Sequence, residues 1–169
     1  MNIADYKKYA VLNGIGLRHS IFVSGCNHYC KGCFNSKLAD YTYGQPFTQE
    51  LRNTIINDLN DKNVHVQGLS LLGGCPFCNA KELLPFITLV KSKCKDIDIW
   101  AWSGETYEEI LIDKDKLKLL KLCDILVDGR FEQDKKDLNL NFRGSSNQRI
   151  IKVQESLKKG KVILSELNN

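Results

Sequence analysis

Three cysteines fall within eight residues, in the stretch Cys26-Asn27-His28-Tyr29-Cys30-Lys31-Gly32-Cys33. A tight loop with these intervals of four and three turns three sulfurs toward one centre. Structural zinc usually takes four ligands, commonly as two distant Cys-x-x-Cys pairs, whereas three thiolates on a cubane cluster leave one iron open to a substrate or cofactor. Spacing alone also admits a zinc site of Cys26, Cys30 and Cys33 completed by His28, Cys75 or Cys78. The chain has seven cysteines, at 26, 30, 33, 75, 78, 94 and 123, against a single methionine. An odd count with clustering points to metal or redox chemistry before a disulfide scaffold.

Composition narrows the setting. At 169 residues, 43% hydrophobic and 26% charged, the sequence reads as one globular domain over residues 1–169, without a repeat, low-complexity tract or linker. Its net charge of +4 is spread without a long single-sign block, which gives no electrostatic argument for a nucleic acid or membrane partner. No apolar run approaches the roughly 20 residues of a bilayer span. Met1–Val11 carries Asp5, Lys7 and Lys8 where a signal peptide would have its apolar core. A cytoplasmic protein is expected.

Strand-like and helix-like stretches alternate. Ser20–Ser24 reads as a buried strand closed by Gly25, and Thr48 caps a helix carrying Leu51, Ile55 and Leu59. Leu69–Leu72 ends in Gly73-Gly74, and Pro85 is placed as the first residue of the next helix. A third strand, Ile97–Trp102, stops at Ser103-Gly104, after which Thr106 and Glu109 have capping-box spacing. Asp124–Val127 and Ile150–Val153 read as further strands, with Lys161–Leu164 as a short last one. This alternation predicts an α/β fold with parallel pairing and a functional carboxyl edge. A closed eight-fold barrel needs about 250 residues, so the expectation is a partial, open (β/α) barrel of five or six strand-helix units.

The cysteine triplet after the first strand resembles the signature of the radical S-adenosylmethionine superfamily. Phe22–Cys26, Cys30–Asn35, Asp98–Gly104, Val127-Asp128-Gly129 and Phe142–Arg149 together are similar to the family that activates anaerobic ribonucleoside-triphosphate reductases. The string Arg143-Gly144-Ser145-Ser146-Asn147-Gln148 is the discriminating piece. Pyruvate formate-lyase activases share the cysteine loop without it. Two other readings compete: a radical enzyme acting on a small molecule, and a zinc-binding interaction module.

The resemblance implies a [4Fe-4S] cluster on Cys26, Cys30 and Cys33, S-adenosylmethionine on the open iron, and a glycyl radical made on the reductase large subunit. A low-potential electron donor such as flavodoxin is implied too. The resemblance also aligns Gly73-Gly74-Cys75-Pro76 with a glycine-glycine-acidic-proline loop, so Cys75 stands where an acidic residue is usual. Gly73, Gly74, Cys75, Ser103, Asp128, Arg143 and Asn147 are the candidate cofactor contacts, and Arg149 is an alternative carboxylate partner. Gly32 takes the place of a frequent aromatic, leaving Phe34 or Tyr29 to cover the adenine. Cys75 and Cys78 could be unconnected, a redox pair or part of a second metal site. Cys94 and Cys123 read as packing thiols, and Arg18 and His19 as loop residues ahead of the first strand. The polar stretch from Arg130 to Ser146, with Lys135 and Lys136, is the candidate grip on the partner.

Overall fold

A computed structural model of the chain describes residues 1–168. A seven-stranded mixed sheet is built from β1 (Asn2–Ala10), β2 (Arg18–Val23), β3 (Gln45–Pro46), β4 (Gly68–Gly73), β5 (Asp98–Trp102), β6 (Ile125–Asp128) and β7 (Arg149–Lys152). Their order is β3-β1-β2-β4-β5-β6-β7, so the sheet is open. The four central strands β2, β4, β5 and β6 run parallel. They are short and almost wholly buried, as strands covered on both faces must be. Helices α1 (Gln49–Leu59), α2 (Ala80–Lys93), α3 (Tyr107–Ile112), α4 (Lys114–Leu120) and α5 (Val153–Lys159) complete the fold. Ile55, Leu59, Leu83, Ile87 and Val90 pack against Ile21, Leu69, Leu71 and Ile99 in a single core. None of the described helices is long and apolar enough to cross a membrane.

Local signals did their expected work. Thr48 accepts a hydrogen bond from the Leu51 N–H at the start of α1, and Thr106 and Glu109 form a complete capping box on α3. Pro85 does not open α2. That helix starts five residues earlier, and Pro85 sits inside it on an exposed face where its missing N–H is tolerated.

Three strands depart from the all-parallel expectation, β1, β3 and β7, with β3 antiparallel to β1. β1 pairs antiparallel with β2, and its polar Tyr6-Lys7-Lys8-Tyr9 segment concealed it because only one of its faces is covered. β7 runs antiparallel to β6, because the connection between them carries no crossover helix. The Lys161–Leu164 segment contributes only an isolated bridge, Ile151 to Leu164.

Arg18 and His19 also depart from expectation, being fully buried on β2 rather than in a loop before it. The Arg18 guanidinium donates to Ser70 Oγ at 2.8 Å and pairs with Asp98 at 2.5 Å, over the Trp100 ring. This knot ties the amino ends of β2, β4 and β5, the end of the sheet opposite the cysteine loop.

Candidate metal centre and cofactor cleft

The carboxyl ends of the parallel strands open into four loops, and the loop after β2 carries the cysteines. Its base is stitched by backbone bonds: Gly25 N–H to Leu38 carbonyl at 2.7 Å, Cys26 N–H to Ala39 carbonyl at 3.1 Å, and Cys75 N–H to Gly25 carbonyl at 2.9 Å. Asn79 Nδ2, buried at the head of α2, donates to the carbonyls of Ser24 and Cys75, both at 3.1 Å. Gly74 lies so close to this loop that a Cβ there would come 2.5 Å from the Gly25 carbonyl oxygen. Glycine is therefore required for the β4 loop and the cysteine loop to touch.

Cys26, Cys30 and Cys33 face one cleft of about 240 Å³, which Gly73, Gly74 and Ser103 also line. Phe34, Phe131, Trp102 and Phe142 wall it. Phe34 and Phe131 pack at 5.2 Å, and the Trp102 indole donates to the Phe142 carbonyl at 2.9 Å. The Asn35 N–H points at Cys33 Sγ from 3.4 Å. The Cys78 thiol beside it holds Cys26 below its ordinary pKa, whereas burial pushes Cys30 up.

The three sulfurs are not all within 4.8 Å of one another. Among the described residues, the group that compact is His28, Cys75 and Cys78. Thiolates on one tetrahedral zinc, at about 2.3 Å from the metal, stand about 3.8 Å apart. Each thiolate of a cubane binds a different corner iron, so its ligands stand further apart. A spaced soft-donor triad on an open cleft therefore fits a multi-iron cluster with one corner free.

The candidate cofactor contacts separate into four groups. Gly73, Gly74 and Ser103 line the cysteine cleft, with Gly73 at φ +109°. Ser103 Oγ also accepts the Glu105 N–H at 2.9 Å, a turn role. Cys75 is buried behind the cleft, with Sγ 3.9 Å from Ser103 Oγ, and its pKa is pushed up to about 12 by its bond with Cys78 and by burial. Asp128 and Asn147 line a neighbouring cavity that shares Gly129 with the first. Asn147 Nδ2 donates to the Arg130 carbonyl at 2.8 Å, while its Oδ1 is buried without a partner. Arg143 points away and donates to the carbonyls of Gln148 and Asn168 at 3.1 and 3.0 Å.

Sequence reasoning passed over Gln148, which lines the cleft. Its Oε1 accepts the N–H groups of Gly144 and Ser145, and its Nε2 donates to the Gly129 carbonyl at 2.9 Å. One side chain thus folds the glycine-serine loop and pins it to the end of β6. His28, which the spacing offers as one possible fourth zinc ligand, also reaches the cleft. Its ring borders the cleft against Gly104, where a Cβ would come to 2.2 Å.

Residues 12–151 match the family model described as a 4Fe-4S single cluster domain. The chain belongs to that class of iron-sulfur protein. Proteins named anaerobic ribonucleoside-triphosphate reductase-activating protein are similar over most of its length. The one from Pasteurella multocida is 43% identical over 157 residues, 92% of this chain and 99% of the relative. The Escherichia coli K12 protein is 41% identical over 150 residues, 88% and 96% of the two chains. A more distant relative from Enterobacteria phage T4 is 36% identical over 141 residues, 82% and 86% of the two. Within the single-cluster class, the chain is a member of the family of anaerobic ribonucleoside-triphosphate reductase-activating proteins.

Proposed function

We propose that this chain activates an anaerobic ribonucleoside-triphosphate reductase, with Cys26, Cys30 and Cys33 holding a [4Fe-4S] cluster and S-adenosylmethionine occupying the adjoining cleft. The chemistry such a group supplies when bound is one-electron reductive cleavage of S-adenosylmethionine, ending in a glycyl radical on the reductase. The observation that carries the reading is the placement of all three thiols on one cleft with the Gly73-Gly74 turn at the carboxyl edge of the parallel strands.

The protein's part is binding, orientation and exclusion of water. Gly73 and Gly74 bring backbone acceptors to the ligand's ammonium without a Cβ in the way. Ser103 supplies a hydroxyl beside them, and the aromatic walls cover the adenosyl portion. Asn147 Oδ1, left without a protein partner, accepts from a ligand hydroxyl. Asp128 and Arg149 are assigned a positioning role, because their groups are already committed to each other. Arg143 belongs to the support of the loop, and Cys75 to the wall behind the cleft.

We further read the open sheet as part of a (β/α) barrel, residues 1–169 as one domain, and the missing wall as the approach for the glycine-bearing segment of the reductase. A low-potential donor such as flavodoxin supplies the electron, and the setting is the cytoplasm. The test is anaerobic incubation of the reconstituted protein with S-adenosylmethionine, reductant and the reductase, read by electron paramagnetic resonance. A glycyl doublet on the reductase is expected. Cleavage of S-adenosylmethionine without that doublet would overturn the substrate assignment, and failure of the metal-free protein to take up iron and sulfide in the absence of zinc would overturn the cofactor.

A further inference from the structure

Behind the cysteine cleft a second set of metal-ligating atoms converges. His28 Nε2, Cys75 Sγ and Cys78 Sγ all lie within 4.8 Å of one another, with His28 Nε2 and Cys78 Sγ 3.8 Å apart. The two thiols come from the turn before α2, closed by the Cys78 N–H on the Cys75 carbonyl at 3.1 Å. The imidazole comes from the cysteine loop, its ring set against Gly104. Two loops are therefore built to bring three donors to one point.

The scale of the group selects its ligand. Ligands on one tetrahedral ion stand about 3.8 Å apart, close to the spacing of this trio and too tight for a cubane. Two thiolates with one imidazole favour zinc over a hard cation such as magnesium. A tetrahedral ion needs one donor more, and Cys26, which lines the same cleft as His28, offers the neighbouring thiol.

We infer that the metal-free chain binds one divalent ion of the zinc class through His28, Cys75 and Cys78 with Cys26 as fourth ligand, and that this site competes with the iron-sulfur cluster for Cys26. Binding deprotonates the three thiols and releases their protons to solvent, with no change of oxidation state. A zinc-loaded chain then lacks one of the three thiolates assigned to the cluster. The relative supply of zinc and of iron with sulfide decides which form accumulates. The competition rests on the cluster assignment proposed above, whereas the zinc site itself does not.

The test is anaerobic titration of the metal-free full-length chain with cobalt(II), followed by zinc(II). One cobalt per chain is expected, with thiolate charge-transfer and tetrahedral d–d bands that zinc abolishes. The Cys30→Ser/Cys33→Ser double variant should keep those bands. Cys75→Ser/Cys78→Ser should weaken binding by about 100-fold or more, since even outer-shell changes cost 10- to 100-fold. Circular dichroism of the metal-free variants separates lost binding from lost folding, and His28→Ala carries the same test if the double variant unfolds. Zinc-loaded protein should take up less than about a tenth of the iron taken up by the metal-free chain, following that affinity ratio. Absence of the cobalt bands in the wild type, or bands that survive Cys75→Ser/Cys78→Ser and vanish with Cys30→Ser/Cys33→Ser, would overturn the site. Normal iron uptake by the zinc-loaded chain would overturn the competition. Iron uptake by the metal-free wild type reports the cluster separately, so failure of one assignment is told apart from failure of the other.

Discussion

Arg149 grips Asp128 with two arms of its guanidinium, Nε 3.0 Å from Oδ1 and Nη2 2.5 Å from Oδ2, across the antiparallel register of β6 and β7. The same carboxylate accepts the Tyr107 N–H at 2.6 Å, at the first turn of α3. Arg149 also reaches Glu108 at 2.7 Å, and these two carboxylates hold its guanidinium well above its ordinary pKa. One ion-pair cluster therefore joins β6, β7 and α3 directly beside the loop that walls the cleft.

Asp128→Asn keeps the shape and removes the buried charge. Breaking a fully buried pair by removing one partner costs about 3–5 kcal/mol. Arg149 is about one-third exposed and retains Glu108, so the expected loss is about 2 kcal/mol. Denaturant unfolding of the metal-free chain measures it. A change below about 0.5 kcal/mol, the scale of ordinary surface substitutions, would show that the pair is not structural.

Cys26→Ala, Cys30→Ala and Cys33→Ala are each expected to abolish iron and sulfide uptake, because two thiolates cannot hold a cubane with one open corner. Cys94→Ala and Cys123→Ala should retain it. Those thiols are buried, Cys94 accepting from Asn60 Nδ2 at 3.3 Å and Cys123 donating to the Leu119 carbonyl at 3.4 Å. Metal analysis after anaerobic reconstitution decides the matter, and full iron in any loop variant would remove that residue from the ligand set.

Gly74→Ala drives a methyl into the carbonyl oxygens of Gly25 and Leu38, at 2.5 and 2.7 Å. These are backbone atoms and cannot swing aside, so the β4 loop and the cysteine loop must separate at a cost of about 1–3 kcal/mol. A lower thermal midpoint together with reduced iron content is expected. An unchanged midpoint would show that the two loops yield freely.

Acid sensitivity has a specific source in His19. It is fully buried, accepts the Tyr9 N–H on Nδ1 at 3.3 Å, and is pushed below its ordinary value of 6.5 by burial. The unfolded chain binds the proton more readily, so this contribution to stability is complete above pH 6.5 and is lost as pH falls below it toward the folded value. His19→Asn keeps an acceptor without the charge. Thermal midpoints between about pH 5 and 8 should fall less steeply on the acid side in the variant than in the wild type.

Lys136 stands over the Phe34 ring at 5.0 Å on the rim of the cleft, while Lys135 is paired with Glu132 at 2.6 Å. Reversing both charges, Lys135→Glu with Lys136→Glu, is expected to weaken reductase binding and glycyl-radical yield while leaving reductant-driven S-adenosylmethionine cleavage near normal. Equal loss of both activities would place this segment in the cofactor site instead.

What the sequence determined by itself is local. The Cys26–Cys33 spacing, the Thr48 cap, the Thr106 and Glu109 box and the apolar runs of β2, β4, β5 and β6 each depend on neighbours within a few residues, and each is where the pattern put it. Tertiary structure decided what depends on distant partners. Half-covered β1 gains its place by pairing with β2 on one side and β3 on the other. β7 runs antiparallel because no helix carries the chain back, and Arg143 turns from the cleft because the carbonyl of Asn168 lies within its reach. Cys75, adjacent in sequence to a cleft-lining glycine, is buried behind the cleft. The turn before α2 and the cysteine loop set it beside Cys78 and His28, a grouping that no interval along the chain encodes.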